Sequence, residues 1–389
     1  MFATIATVVL AAAMGAGDDP FYQPPVPLPS GMHGDLIRQR PLTDAAALPS
    51  AARNVLLLYR TQSLDGTPVA VSGTLAVPKG TPPPGGWPIV SWAHGTTGNA
   101  PRCTPSRDTA GEGIHLYLKM VDDSLDSLVA AGYAVVQTDY EGQGTPGVHP
   151  YLIGEPEGHD VIDIVRAARQ AEPSLGTRYV VAGHSEGGFA TLFAASLGPS
   201  WAPELSLLGA AAFAPASHLG LIVTFLQSYA QPLRGAEFGS LQIAAYAHFY
   251  PDVKPQTFLT PAAFAMLAQT QTRCVSDPAG FWATTPPIAT FQAGANLAPL
   301  VSEAVKNDPD SLHVAVPVLL LQGADDQTVR PSITRDLRKK LCAAGTSIDL
   351  RSYPGVGHIG VVTPAMPDVK AWFDERFAGK PAASHCADV

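Results

Sequence analysis

The segment RYVVAGHSEGGFATLFAASLG, Arg178 to Gly198, runs a short apolar stretch into a helix-forming stretch across a turn of glycines. An apolar run of that length, with no polar alternation, suits a strand covered on both faces. The same pairing recurs along the chain. A helical pattern over Ile114–Ala131 precedes the strand-like YAVVQTDY (Tyr133–Tyr140), and a second follows over Gly158–Glu172. LLGAAAFAP supplies another apolar strand; VPVLLLQGADD, the helix PSITRDLRKKLCAAG, the strand SIDLRSYPG and a closing helix near Pro367–Phe377 complete the series. Upstream, NVLLLYRTQ and PVAVSGTLAVP read as a hairpin across SLDGT, and Ile89–Ala93 as a short strand ending at His94 and Gly95. Alternation of this kind predicts an α/β fold: a mostly parallel central sheet with helices on both faces.

Between Ala216 and Asp310 the alternation stops, and helix-like pieces follow one another without a clear strand (LGLIVTFLQSYA, LQIAAYAHFY, TPAAFAMLAQT, NLAPLVSEAV). Residues 216–310 therefore read as a helical cap or lid inserted between two parts of one core, 18–215 and 311–389. A chain of 389 residues that is 46% hydrophobic can fill such a core. Before it, DPFYQPPVPLPSG reads as an extended proline-rich arm, neither helix nor strand. Residues 1–17 combine an apolar run with small residues, the pattern of a signal peptide, although no Lys or Arg precedes the run. This predicts a protein that is secreted or retained at the cell envelope. With 33 acidic against 24 basic residues and no basic run longer than Arg338–Lys340, a nucleic-acid partner is disfavoured. Cys103, Cys274, Cys342 and Cys386 lack zinc-site spacing; an even number in an exported chain favours disulfides, with three pairings open.

Gly183, Ser185 and Gly187 form Gly-x-Ser-x-Gly where a buried strand turns into a helix, the setting that lifts a serine hydroxyl above a sheet edge. That hydroxyl needs a base, and the base needs a group that fixes its tautomer. Asp325 and Asp326 follow the strand VPVLLLQG, and His358 follows the strand SIDLRSY, so acid and histidine succeed the serine in the expected order. Asp326 is favoured as the acid over Asp325, with Asp139 a more distant alternative. Of eleven histidines His358 lies in the glycine-rich loop that directly follows the last strand; His184 reads as structural, and His218, His248 and His313 fall in or near the cap. Oxyanion donors are expected at the backbone N–H of Glu186 and in WAHGTTG, where Thr96 is the candidate. Neither a cofactor nor a metal is called for.

These residues, with DPFY, WAHGTTG, TDYEGQGTPGVHPYL, DIVRAAR, GHSEGG, GADDQTV and GVGHIG, make the chain resemble the secretory lipase family of α/β-hydrolases, the lipase A type. The resemblance implies a secreted serine hydrolase acting on carboxylic esters, often long-chain acylglycerols, through Ser185, Asp326 and His358. It also implies disulfides Cys103–Cys274 and Cys342–Cys386. The apolar cap, rich in Phe, Leu and Ala, is expected to cover an acyl-binding tunnel and to make transient contact with a lipid interface. A soluble carboxylesterase or acyltransferase with the same triad, a peptidase, and a catalytically silent binding protein on this scaffold remain as alternatives. Oligomeric state is not legible.

Overall fold

The computed structural model describes residues 19–111, 113–228, 236–275 and 290–388. The expected signal peptide and parts of the expected cap, 229–235 and 276–289, lie outside the described residues.

Nine strands form one sheet: β1 Leu36–Pro41, β2 Arg53–Gln62, β3 Pro68–Val77, β4 Trp87–Ala93, β5 Ala134–Thr138, β6 Leu175–His184, β7 Ser206–Phe213, β8 Val318–Gly323 and β9 Ile348–Tyr353. Their spatial order is β1-β2-β3-β5-β4-β6-β7-β8-β9. The first three strands pair antiparallel, as does β3 with β5. From β5 to β9 every pairing is parallel. This is the mostly parallel α/β sheet expected from the alternation, and the α/β-hydrolase architecture that the resemblance implies. Strand β4 lies between β5 and β6, so the order reverses there, and a crevice opens at the carboxyl ends of such strands. The loop after β4 and the turn after β6 flank that crevice, in register through Ala93 opposite Gly183.

Helices α1 (His115–Ala130) and α9 (Val362–Phe377) cover one face, burying Val121, Leu125, Val369 and Phe373 against Val90, Trp92 and Leu319. On the other face α2 (Gly154–Ala171), α3 (Glu186–Trp201) and α8 (Pro331–Ala343) pack Ile162, Ala190 and Leu337 on Ile89, Val181 and Leu320. α3 is apolar nearly all round, as a helix enclosed on every side must be.

Among the described residues, four α-helices lie between β7 and β8: α4 (Leu219–Ser228), α5 (Ala236–Phe249), α6 (Pro261–Leu267) and α7 (Ala298–Lys306). They share a separate apolar cluster that seats Leu241, Tyr246 and Leu300 with Phe189 and Phe193 of α3. The disulfide Cys103–Cys274 ties this segment to the loop after β4, reinforced by Val275 N–H donating to the Thr97 carbonyl at 3.0 Å. Cys342–Cys386 fastens the C-terminal tail to α8.

Three local expectations need correction. The proline arm opens with a 3₁₀ turn, Pro20–Tyr22, capped by the Asp19 carboxylate, and Tyr22 is buried with its hydroxyl donating to the Ser106 carbonyl. β1 escapes the apolar pattern because LIRQRP forms a partly exposed edge. α2 begins four residues before Gly158 and α9 five before Pro367: Pro156 sits in the first turn, while Pro367 is inside the helix and does not start it.

Candidate active site

Ser185 occupies the turn between β6 and α3 with φ of 60° and ψ of −115°. That backbone is strained for a residue bearing Cβ, and it persists only where the surroundings over-determine it. The constraint is visible in the packing. A Cβ on Gly187 would come to 1.9 Å from the Ala93 carbonyl oxygen, and one on Gly183 to 2.3 Å from the Gly187 carbonyl. Only glycine lets α3 begin against the end of β4, which presses the serine outward. Ser185 N–H donates to the Phe213 carbonyl at 2.8 Å, and the Ser185 carbonyl accepts from Phe189 and Ala216.

His358 Nε2 lies 2.9 Å from Ser185 Oγ, and His358 Nδ1 lies 2.7 Å from Asp326 Oδ2. A carboxylate only accepts, so Nδ1 carries the proton and the bare Nε2 accepts the serine hydroxyl. Asp326 is 1% exposed. Its Oδ1 accepts from the backbone N–H of Thr328 (2.8 Å) and Val329 (2.9 Å), and Oδ2 also accepts from Gln322 Nε2 (3.0 Å). Burial works to raise this carboxyl, but the His358 hydrogen bond and charge, with the two backbone donors, outweigh it and hold it below the ordinary carboxylate value. Asp325 is exposed and turned away from this set; its carbonyl accepts from Gln327. Asp139 is engaged elsewhere, accepting from Ser72 Oγ, Ser106 N–H and Ser106 Oγ.

Glu186 is the first residue of α3, so its N–H has no acceptor within the helix and is available beside the serine. Its side chain is buried, with Oε1 2.7 Å from His149 Nε2. The Thr96 hydroxyl pairs with the Tyr151 hydroxyl at 3.0 Å, which fixes the loop after β4. His184 turns away from the nucleophile and holds Tyr117 Oη at Nδ1 and the His358 carbonyl at Nε2, both at 3.0 Å. His218 is paired with Asp336 at 2.7 Å, and His313 Nδ1 donates to the Ala344 carbonyl.

Among the described residues, His149, Glu157 and Glu186 bring one ligand atom each within 4.8 Å of the others, the arrangement that could hold a metal ion. Both His149 nitrogens lie beside oxygens, the Glu141 carbonyl at 3.2 Å and Glu186 Oε1 at 2.7 Å. Burial, with the Glu186 charge adding to it, pushes the Glu157 carboxyl well above its usual range and keeps it neutral. No local pattern signals this group, whose members come from three segments; Gln322 and Tyr117 are equally silent in the sequence.

A serine raised on a strand-to-helix turn of an α/β sheet, facing a carboxylate-anchored histidine, has the geometry of an acyl-transfer site, and the comparisons with known proteins define a carboxylic ester hydrolase. Candida antarctica lipase A has the same fold, with a TM-score of 0.78 over 95% of this chain and 87% of that one at 21% identity. The family model for secretory lipases matches residues 115–385, and the chain belongs to that family. Lipase 6 of Candida albicans is 27% identical, the match covering 95% of this chain and 83% of the relative. A Mycobacterium tuberculosis protein named as a probable inactive lipase is also 27% identical, over 95% of this chain and 84% of its own length.

Proposed function

We propose that this chain is a secreted lipase that cleaves triacylglycerols through a Ser-His-Asp triad and an acyl-enzyme. The observation that carries the reading is the continuous hydrogen-bonded line from Ser185 Oγ through His358 to Asp326. Ser185 attacks the ester carbonyl while His358 takes its proton, and Asp326 stabilises the imidazolium that forms. The oxyanion is held by the backbone N–H of Glu186 and by Thr96. His358 then returns the proton to the departing alkoxide, and water releases the acyl group by the same steps in reverse.

Residues 216–310 act as a cap between core parts 18–215 and 311–389. Exposed Leu221 and Ile222 on α4 and Phe264 on α6 give it an apolar surface suited to transient contact with a lipid interface. Two disulfides, and the apolar run of residues 1–17, support export to an oxidising compartment.

The Ser185→Ala variant is expected to lose hydrolysis of p-nitrophenyl butyrate and of emulsified triolein; retained turnover overturns the mechanism. Turnover confined to the short, soluble ester assigns a carboxylesterase instead. Since one relative carries a name marking it inactive, labelling of the wild-type protein, but not the variant, by a fluorophosphonate is the companion measurement.

A further inference from the structure

Three hydrogen bonds beyond the Ser185–His358–Asp326 line join the loop after β4 to the loop that carries His358. Gly95 N–H donates to the Tyr117 hydroxyl oxygen at 3.0 Å. Tyr117 Oη lies 3.0 Å from His184 Nδ1, and His184 Nε2 lies 3.0 Å from the His358 carbonyl oxygen. Chemistry dictates the direction of every proton in this chain. The carbonyl only accepts, so Nε2 donates. Burial first, and the neighbouring His358 second, push the His184 imidazole down to about 3, so the ring is neutral and its Nδ1 is bare. Nδ1 accepts the Tyr117 proton, and a lone pair on the tyrosine oxygen takes Gly95 N–H. No donor faces a donor anywhere along the line.

The line is also closely packed. A Cβ on Gly95 would fall 2.5 Å from the Tyr117 hydroxyl and 3.0 Å from His184 Nδ1, so the approach needs glycine. The His184 and His358 rings lie with centroids 4.7 Å apart. Because His184 is bonded directly to Ser185, one imidazole connects the nucleophile turn, the loop bearing Thr96 and the backbone of the base. Those three parts must keep their spacing to within about 0.5 Å for efficient acyl transfer.

We propose that Tyr117 and His184 are positioning residues that hold the oxyanion loop and the His358 loop at a set separation about Ser185. The inference rests on the ester hydrolysis proposed above. Removing one hydroxyl leaves the pocket that binds substrate intact but loosens the donors that meet the transition state, which lowers kcat and spares KM.

The test compares wild type with Tyr117→Phe, His184→Gln, His184→Ala and the Tyr117→Phe/His184→Gln double variant, by steady-state hydrolysis of p-nitrophenyl butyrate and by thermal melts. Tyr117→Phe is expected to lower kcat about tenfold with KM changed less than about twofold, roughly one weak hydrogen bond's worth of positioning. His184→Gln, whose amide nitrogen reaches the place of Nε2 and still donates to the His358 carbonyl, should retain more activity than His184→Ala. The double variant should be no slower than its slower single parent, because both break one line. A Tyr117→Phe kcat within twofold of wild type, an additive double variant, or losses that merely follow the melting temperature overturn the inference while leaving ester hydrolysis standing. Should Tyr117→Phe fail to fold, the ranking of the two His184 variants decides alone. A wild-type protein without esterase activity overturns the functional reading, and the inference falls with it.

Discussion

Replacing Asp326 by asparagine changes one atom and retains the shape of the site, so its effect can be worked out from the hydrogen bonds around it. The carboxylate meets four donors, two at each oxygen: the Thr328 and Val329 backbone N–H at Oδ1, His358 Nδ1 and Gln322 Nε2 at Oδ2. An asparagine can offer an oxygen to only one pair and must turn its NH₂ toward the other. The backbone pair cannot move. Nor can Gln322 flip its amide, because Nε2 also donates to the Gly323 and Val329 carbonyls while Oε1 accepts from the Thr334 hydroxyl at 2.5 Å. The imidazole is the one group that can yield, by shifting its proton from Nδ1 to Nε2. The amide NH₂ therefore faces His358, and the ring then points an N–H at Ser185 and cannot act as a base. A base in the wrong tautomer loses about ten-thousand-fold in kcat, about 5 kcal/mol of transition-state stabilisation. Gln322 Nε2 keeps the Gly323 and Val329 carbonyls for its two hydrogens, so the rate falls without a matching loss of stability. Initial rates on p-nitrophenyl butyrate measure the loss, with thermal melts as the folding control. Asp325→Asn, an exposed neighbour outside the set, should leave the rate unchanged. An Asp326→Asn enzyme that keeps more than about a tenth of wild-type kcat refutes the reasoning.

Glu157→Gln mimics the neutral carboxylic acid that burial imposes on Glu157. The raised folded-state value means that stability is fully present below the unfolded carboxyl range and is lost as pH rises toward the folded value, because the native state holds the proton more tightly. The variant should therefore melt higher than wild type near pH 8 and match it near pH 4, and identical melting curves across that range would exclude a protonated Glu157. Replacing Cys103 and Cys274 together by serine opens a link of sequence separation 171, which loop entropy values at about 5 kcal/mol, against about 4 for the Cys342–Cys386 link of separation 44. Denaturant titrations of the two double variants should show the larger loss for the first pair, and the reverse order would count against an entropic origin.

Strands that are covered on both faces were legible in the sequence because burial leaves a continuous apolar run: AVVQT in β5 and VLLLQG in β8 are buried at every position. β1 was not, since Arg38 and Arg40 turn outward on an edge and erase the period. Pro367 misled for a physical reason: proline marks a first helical turn when its missing N–H falls among the unpaired ones, yet α9 carries it further in. In the site, Ser185 and His358 announce themselves because a glycine-rich turn surrounds each. Preferring Asp326 over Asp325 followed its place in the loop, and the structure sets Asp326 on His358. Tyr117, His149, Glu157 and Gln322 contribute through partners distant in sequence, such as the separation of 67 residues between Tyr117 and His184. No local pattern records such a pairing. The histidine beside the nucleophile was legible only as scaffold; that it spans two loops depends on the register of β4 against β6, which propensity does not determine.

The link at Cys274 has a mechanical consequence. The segment between β7 and β8 is anchored to the sheet at its two covalent ends, and Cys274 adds a third anchorage partway along, beside the loop that follows β4. The loop that receives this link flanks the crevice, so a load applied to the segment is transmitted through the disulfide and the Val275–Thr97 hydrogen bond to the backbone at Thr97 and Gly98, next to the expected oxyanion donor.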